Sequence, residues 1–175
     1  MRANPGYFVD IEGSDKQFAC VRGTYQPNDA AETCWWADEG HHVPDIKATE
    51  QLACEAGSFQ PLPGQSTCRD AKPGFYVAGT QATTQTACLA GTFQDLPGQT
   101  TCLDAKPGYY VETDAADKQL ACSEGFFQPL SGKTTCKPAL PGFFVGATQA
   151  INQEACSEGS FQPNAGASTC LEARP

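Results

Sequence analysis

Between Cys34 and Asp45 the chain reads C-W-W-A-D-E-G-H-H-V-P-D, and this is the one local set rich enough to suggest metal or ligand binding. Imidazoles and carboxylates ligate zinc, which brings in His41 and His42 with Asp38, Glu39 and Asp45 nearby. Tryptophans offer broad, flat faces to a glycan or a protein partner, which brings in Trp35 and Trp36. Adjacent residues on a strand point to opposite sides, so the two histidines share an ion only if a turn folds them together. The plain alternative is packing, because the histidines stand in columns that elsewhere hold aromatic pairs. The expectation is therefore no metal and no cofactor, with His41 and His42 as weak metal candidates, and Trp35, Trp36, His41 and His42 as a candidate partner-binding patch. No Ser/His/Asp or Cys/His nucleophile is credible, because the cysteines are committed to bridges and both histidines sit in one turn. The chain is not expected to be an enzyme. Asp114 and Asp117 read as a solvated loop pair.

What must position such a patch is set by the cysteines. They stand at 20, 34, 54, 68, 88, 102, 122, 136, 156 and 170, so the steps alternate 14 and 20 and the period is 34. Structural zinc sites want cysteines two to four apart or clustered with histidine, whereas the closest pair here is 14 apart. An even number at regular spacing reads instead as a disulfide framework in an oxidising compartment. Equal repeats should share one local pairing. The 14-step scheme (Cys20 with Cys34, Cys54 with Cys68, Cys88 with Cys102, Cys122 with Cys136, Cys156 with Cys170) uses every cysteine, while the 20-step scheme strands Cys20 and Cys170. The first is expected. Each bridge then closes a loop of about 15 residues, worth on the order of 3 kcal/mol in the chain-entropy model.

The composition agrees with small, stapled units. The 175 residues include 17 Gly and 13 Pro, and the large aliphatic side chains are too sparse to build one sizeable core. Units of this kind depend on staples and on stacking against neighbours. A period of 34 is shared by helical repeats, but each period carries several Gly and Pro and no apolar recurrence at three and four residues, so short strands and turns are predicted. The net charge of −9 argues against nucleic acid, which needs clustered Lys and Arg. No apolar run is long enough to span a bilayer as a helix, and no Asn-x-Ser/Thr acceptor is present.

Within the period the recurring residues fall into two halves. Between Cys54 and Cys68 they are Gly57, Phe59, Gln60, Gly64 and Thr67, matched one period on by Gly91, Phe93, Gln94, Gly98 and Thr101. The first glycine is read as relieving backbone strain at the strand entry, and the second as serving the turn, where a positive φ is cheap only for glycine. The first repeat has Ala30 at the second of them, so a different turn is expected there. Gln60 and its equivalents should be buried, and Gln85 with Gln17, Gln51, Gln119 and Gln153 should bond main chain. The longer half opens with Pro-Gly, a turn, followed by an aromatic pair and valine, a short strand.

The motif C-x-x-G-x-F-Q-x-x-x-G-x-x-T-C followed by P-G-F-Y-V resembles the ephrin-receptor-like cysteine-rich repeats of the growth-factor-receptor superfamily, and is similar to the first loop of tumour necrosis factor receptor modules. The resemblance runs along the whole chain. It implies an elongated, extracellular stack of small β-modules. That family usually has a further cysteine after the second one; here Ala3, Ala37, Ala71, Ala105, Ala139 and Ala173 stand in that column, so its fuller disulfide ladder and its ligand sites do not carry over. The family pattern also implies that Phe8, Tyr76, Tyr110 and Phe144 pack; because adjacent strand residues face opposite sides, Tyr7, Phe75, Tyr109 and Phe143 are then expected outside as candidate partner-binding residues, with Phe126 a further one.

The expected fold is thus small, disulfide-rich and mainly β: an elongated tandem array of five 34-residue repeats at 1–34, 35–68, 69–102, 103–136 and 137–170, with 171–175 opening a further one. Five stacked repeats advancing about 20 Å each would make a rod on the order of 100 Å long. The expected function is that of an extracellular structural protein, secreted or at the cell surface, forming a stalk or filament segment. Its partners would be copies of itself or adjacent repeats of a longer chain, since residues 171–175 fall in the columns of residues 1–5. The rival is a receptor or adhesin ectodomain that binds a glycan or cell-surface protein through the second repeat.

Overall fold

The computed structural model describes residues 2–10 and 15–174; residues 11–14, and Met1 and Pro175 of the two compared termini, lie outside the described residues. Among the described residues there is no helix, and ten antiparallel hairpins of two-residue strands carry the fold. The chain is a small, disulfide-rich, mainly β tandem array. No helix among the described residues is long and apolar enough to cross a membrane.

Each hairpin begins with the same turn. In Lys106-Pro107-Gly108-Tyr109 the Tyr109 amide donates to the Lys106 carbonyl at 3.0 Å. Proline presets φ at the second position and Gly108 takes φ +84° at the third, the type II arrangement. In four of the turns that lack proline a hydroxyl reinforces the turn: Thr24 Oγ1 donates to the Val21 carbonyl at 2.8 Å, and Ser58, Thr92 and Ser160 repeat the bond. The strands then pair in one register, with Tyr109 opposite Ala121 and Tyr110 opposite Leu120.

The backbone repeats every 17 residues, half the cysteine period. The hairpins open at Tyr7, Thr24, His41, Ser58, Phe75, Thr92, Tyr109, Phe126, Phe143 and Ser160. Two chemical solutions alternate on this one backbone. The innermost column runs Ala3, Cys20, Ala37, Cys54, Ala71, Cys88, Ala105, Cys122 and Ala139, each at most 1% exposed. In the cysteine hairpins the residue 14 further on is the disulfide partner, and all five bridges join the 14-step pairs. In the alanine hairpins that position is Gln17, Gln51, Gln85, Gln119 or Gln153. Its Oε1 accepts from the amide that follows the alanine, at 2.7 to 2.9 Å. A hydrogen bond thus closes the loop that a covalent bond closes in the next hairpin.

A third column alternates as well. The alanine hairpins bury Val43, Val77, Val111 and Val145, and the cysteine hairpins bury Gln26, Gln60, Gln94, Gln128 and Gln162. Gln60 Nε2 donates to the Thr67 carbonyl at 2.7 Å and Oε1 accepts from the Leu62 amide at 3.2 Å, so one side chain satisfies both limbs of its loop. Gln60→Leu leaves two loop groups without that partner, and a loss of about 2 kcal/mol is expected. Thermal unfolding under oxidising conditions measures it; a shift no larger than that of Leu62→Ala, at a half-exposed site, would contradict the role.

The contacts divide the chain into two units, Met1–Lys72 with Tyr76–Thr86 and Pro97–Thr101, and Pro73–Phe75 with Ala87–Leu96 and Cys102–Pro175. Inside the first, the Gly40 amide donates to the Gln60 carbonyl and the Gly57 amide to the Val77 carbonyl, each at 2.8 Å, so successive hairpins are bonded edge to edge. Inside the second, Gly91 to Val111 at 2.8 Å and Gly108 to Gln128 at 2.7 Å do the same. A further bond ties each loop back: the Gly64 amide donates to the Ala37 carbonyl at 2.7 Å in the first unit, and Gly132 to Ala105 at 2.8 Å in the second. The second unit also packs Phe93 with Ala105, Val111 and Ala116.

Two expectations fail here. The turn at Ala30 does not deviate: Ala30 has φ +54°, and its amide donates to the Ala3 carbonyl at 2.8 Å, the bond that glycine makes elsewhere. Tyr7, Phe75, Tyr109 and Phe143 do not stand outside; they are half-buried, as are Phe8, Tyr76, Tyr110 and Phe144. Strands of two residues in a stack are flanked on both faces, and Lys47, for example, places Nζ 5.5 Å from the Tyr7 ring centroid. Phe126 is exposed as expected. Part of the apolar surface lies on the returning strands, where Phe18, Trp35, Leu52, Leu103, Leu120 and Leu171 are all exposed.

Candidate functional site

Trp35 and Trp36 form the returning strand opposite Tyr25 and Thr24. They are 46% and 67% exposed, which makes Trp36 the largest open aromatic face among the described residues. Trp35 meets Tyr25 edge to face, with ring centroids 5.8 Å apart, a geometry that the aromatic quadrupoles favour. Burial first, and the charge of Asp38 second, push the Tyr25 phenol above its usual range. Trp36 lies over the turn at Gly64, where a Cβ would come within 2.9 Å of its Cε3. Glycine there admits the indole as well as the turn's φ of +70°.

The histidines go separate ways. His41 Nδ1 donates to the Glu39 carbonyl, 3.1 Å away, while His42 Nδ1 lies 3.2 Å from Cys68 Sγ in the next hairpin. They do not converge on one point, and the carboxylates nearby do not gather round either of them: Asp38 accepts from Gln51 Nε2 at 2.6 Å. The potential ligand atoms that do converge are those of His42, Cys54 and Cys68, all within 4.8 Å of one another. Both sulfurs belong to one disulfide, and a disulfide sulfur is not a thiolate ligand. In the oxidised protein this cluster is a histidine packed on a bridge.

A solvent-open groove of about 550 Å³ lies beside that bridge, lined by His42, Glu55, Ser58 and Cys68 among others. Two cysteine periods on, Tyr110, Ser123, Phe126 and Cys136 line a groove of about 380 Å³ at the corresponding columns. The place is therefore built by the repeat, and the imidazole is what sets the first copy apart. The reading of the sequence put His41 and His42 in one patch and missed the contact with Cys68. The available signal was the column itself, which holds Phe8, Tyr76, Tyr110 and Phe144 in the equivalent hairpins and histidine once. Asp114, read as solvating a loop, instead accepts from the Ala90 amide at 2.7 Å and fastens the turn of another hairpin.

No protein-family model matches the chain, and a search of curated proteins finds none that matches it.

Proposed function

We propose that this chain is an extracellular structural protein, a disulfide-stapled repeat rod that serves as a segment of a stalk or filament and lies against copies of itself or against adjacent repeats of a longer chain. The observation that carries this reading is uniformity. One turn, one register and one pair of bonds between hairpins recur through each unit, while the histidines are engaged with a carbonyl and a disulfide. Five bridges and no free cysteine among the described residues suit an oxidising, extracellular setting. The repeats fit the ephrin-receptor-like kind by motif, with a Gln-to-amide bond in place of that family's additional cysteine. The exposed apolar residues of the returning strands supply the side-by-side contact, as regular apolar patches commonly do. Electron microscopy of native material tests assembly, and small-angle scattering tests the single molecule: linear particles on the order of 100 Å per chain, joined into fibres or bundles, are expected. Dispersed particles with the scattering of a compact sphere would overturn the reading.

The second reading, recognition of a glycan or cell-surface protein, is favoured by the neighbouring open indoles of Trp35 and Trp36. The two readings separate on Trp36→Ser: assembly that survives while capture of a glycan or surface protein is lost belongs to the second.

A further inference from the structure

We propose that the Cys54–Cys68 bridge is a thiol–disulfide exchange site, with Cys68 as the sulfur attacked, His42 as its proton donor and a dithiol as the co-substrate. The other bridges are structural. The proposal goes beyond the rod reading and does not depend on it.

Three observations combine. His42 Nδ1 stands 3.2 Å from Cys68 Sγ; a disulfide sulfur has no proton to give and accepts weakly, so the contact sets the Nδ1–H toward the sulfur. The bridge is approachable from one side only, since Cys54 is fully buried while Cys68 is half-buried and lines the open groove. The third is an internal control. Phe8, Tyr76, Tyr110 and Phe144 hold the His42 column in the other periods, and none of them carries a group that exchanges protons near neutrality. Cys20, Cys88 and Cys122 are as buried as Cys54, and Cys34, Cys102 and Cys136 are half-buried like Cys68. Those three bridges match the site in access and differ in the imidazole. Cys156 is only half-buried, so the last bridge is no control.

The exchange balances without any further redox partner. A thiolate of the dithiol attacks Cys68 Sγ; the Cys54–Cys68 bond breaks, and its electron pair leaves on Cys54 Sγ, which takes a proton. The second thiolate of the reagent then attacks the reagent's own sulfur in the mixed disulfide. This expels Cys68 as a thiolate, which receives the Nδ1 proton of His42, and the imidazole recovers a proton from solvent. The protein gains two electrons and two protons, and the dithiol loses the same and closes to a cyclic disulfide. The step the imidazole speeds is the second, the expulsion of Cys68 from the mixed disulfide in competition with return of Cys54 to Cys68, because a better-stabilised leaving thiolate leaves faster and a Cys–His pair stabilises the thiolate form.

The test is limited reduction of the full chain with dithiothreitol near neutral pH, acid quench, alkylation and peptide mapping over time. Cys54–Cys68 is expected to reach the fully reduced dithiol, both cysteines alkylated and neither held as a mixed disulfide, about tenfold or more faster than Cys20–Cys34, Cys88–Cys102 and Cys122–Cys136, a modest share of what general acid catalysis can supply. His42→Phe should bring it to within about twofold of those three. Because phenylalanine and tyrosine already occupy this column, both His42→Phe and His42→Tyr are available, and whichever forms all five bridges by intact mass serves. Full reduction no faster than that of the three controls, or a preference that persists without the imidazole, would overturn the proposal.

Discussion

Gly57→Ala is expected to cost about 2 to 5 kcal/mol, while Gly142→Ala at the same column costs about 1 to 2 kcal/mol. Both residues stand third in the opening turn, with φ +91° and +84°. Both substitutions therefore incur the left-handed strain of an L-residue, about 1 to 2 kcal/mol. They differ in what the methyl meets. At Gly57 the Cβ would lie 2.2 Å from the Gly98 carbonyl oxygen and 3.0 Å from its carbon, whereas at Gly142 nothing lies within 4 Å. The Gly98 carbonyl cannot swing aside cheaply, because the Gly98 amide is held to the Ala71 carbonyl at 2.8 Å. Overpacking against fixed backbone adds about 1 to 3 kcal/mol. Denaturant midpoints and hydrogen exchange around residues 57–98 measure the difference. Equal losses in the two variants would show that strain alone, and not the approach of the next hairpins, fixes glycine in this column.

Ala71→Cys combined with Gln85→Cys is expected to add a sixth disulfide and about 3 kcal/mol of stability. The pair has the 14-residue separation of the five natural bridges. It also lies in the same hairpin frame, where the Gln85 Oε1 already reaches the Lys72 amide at 2.8 Å, next to Ala71. Closing a loop of about 15 residues contributes about 3 kcal/mol through the unfolded state, and the lost side-chain bond subtracts about 1 kcal/mol at most. Peptide mapping should join the two introduced thiols to each other and leave the natural bridges unchanged, with a higher melting temperature. Free thiols in that hairpin, or scrambled pairing, would show that the two kinds of hairpin do not share one backbone.

The disulfide pairing and both sets of glutamines were legible because each follows from one period of side-chain identity. The 17-residue backbone period was not, because side-chain identity returns only after two hairpins: alanine alternates with cysteine, valine with glutamine, and glutamine with cysteine. Glycine is the exception. Gly6, Gly23, Gly40, Gly57 and their successors recur every 17 residues without alternating, since the turn makes the same demand in both kinds of hairpin. Face alternation misplaced Tyr7, Phe75, Tyr109 and Phe143 because it describes a sheet with one open face, and these strands have neighbours on both. The contact of His42 with Cys68 spans 26 residues and follows from how one hairpin rests on the next, a distance that no local motif encodes.

The alternation of covalent and hydrogen-bonded closure also has a mechanical meaning. A pulling force along the chain cannot pay out the residues inside a bridge, so each 14-residue loop stays shut while the 20-residue stretch between bridges, such as Cys34 to Cys54, is free to reel out. At roughly 3.5 Å per extended residue that stretch releases on the order of 70 Å. Load is thus taken up by the alanine hairpins, whose closing bonds re-form when tension falls, and the cysteine hairpins remain as folded knots from which the slack is wound back.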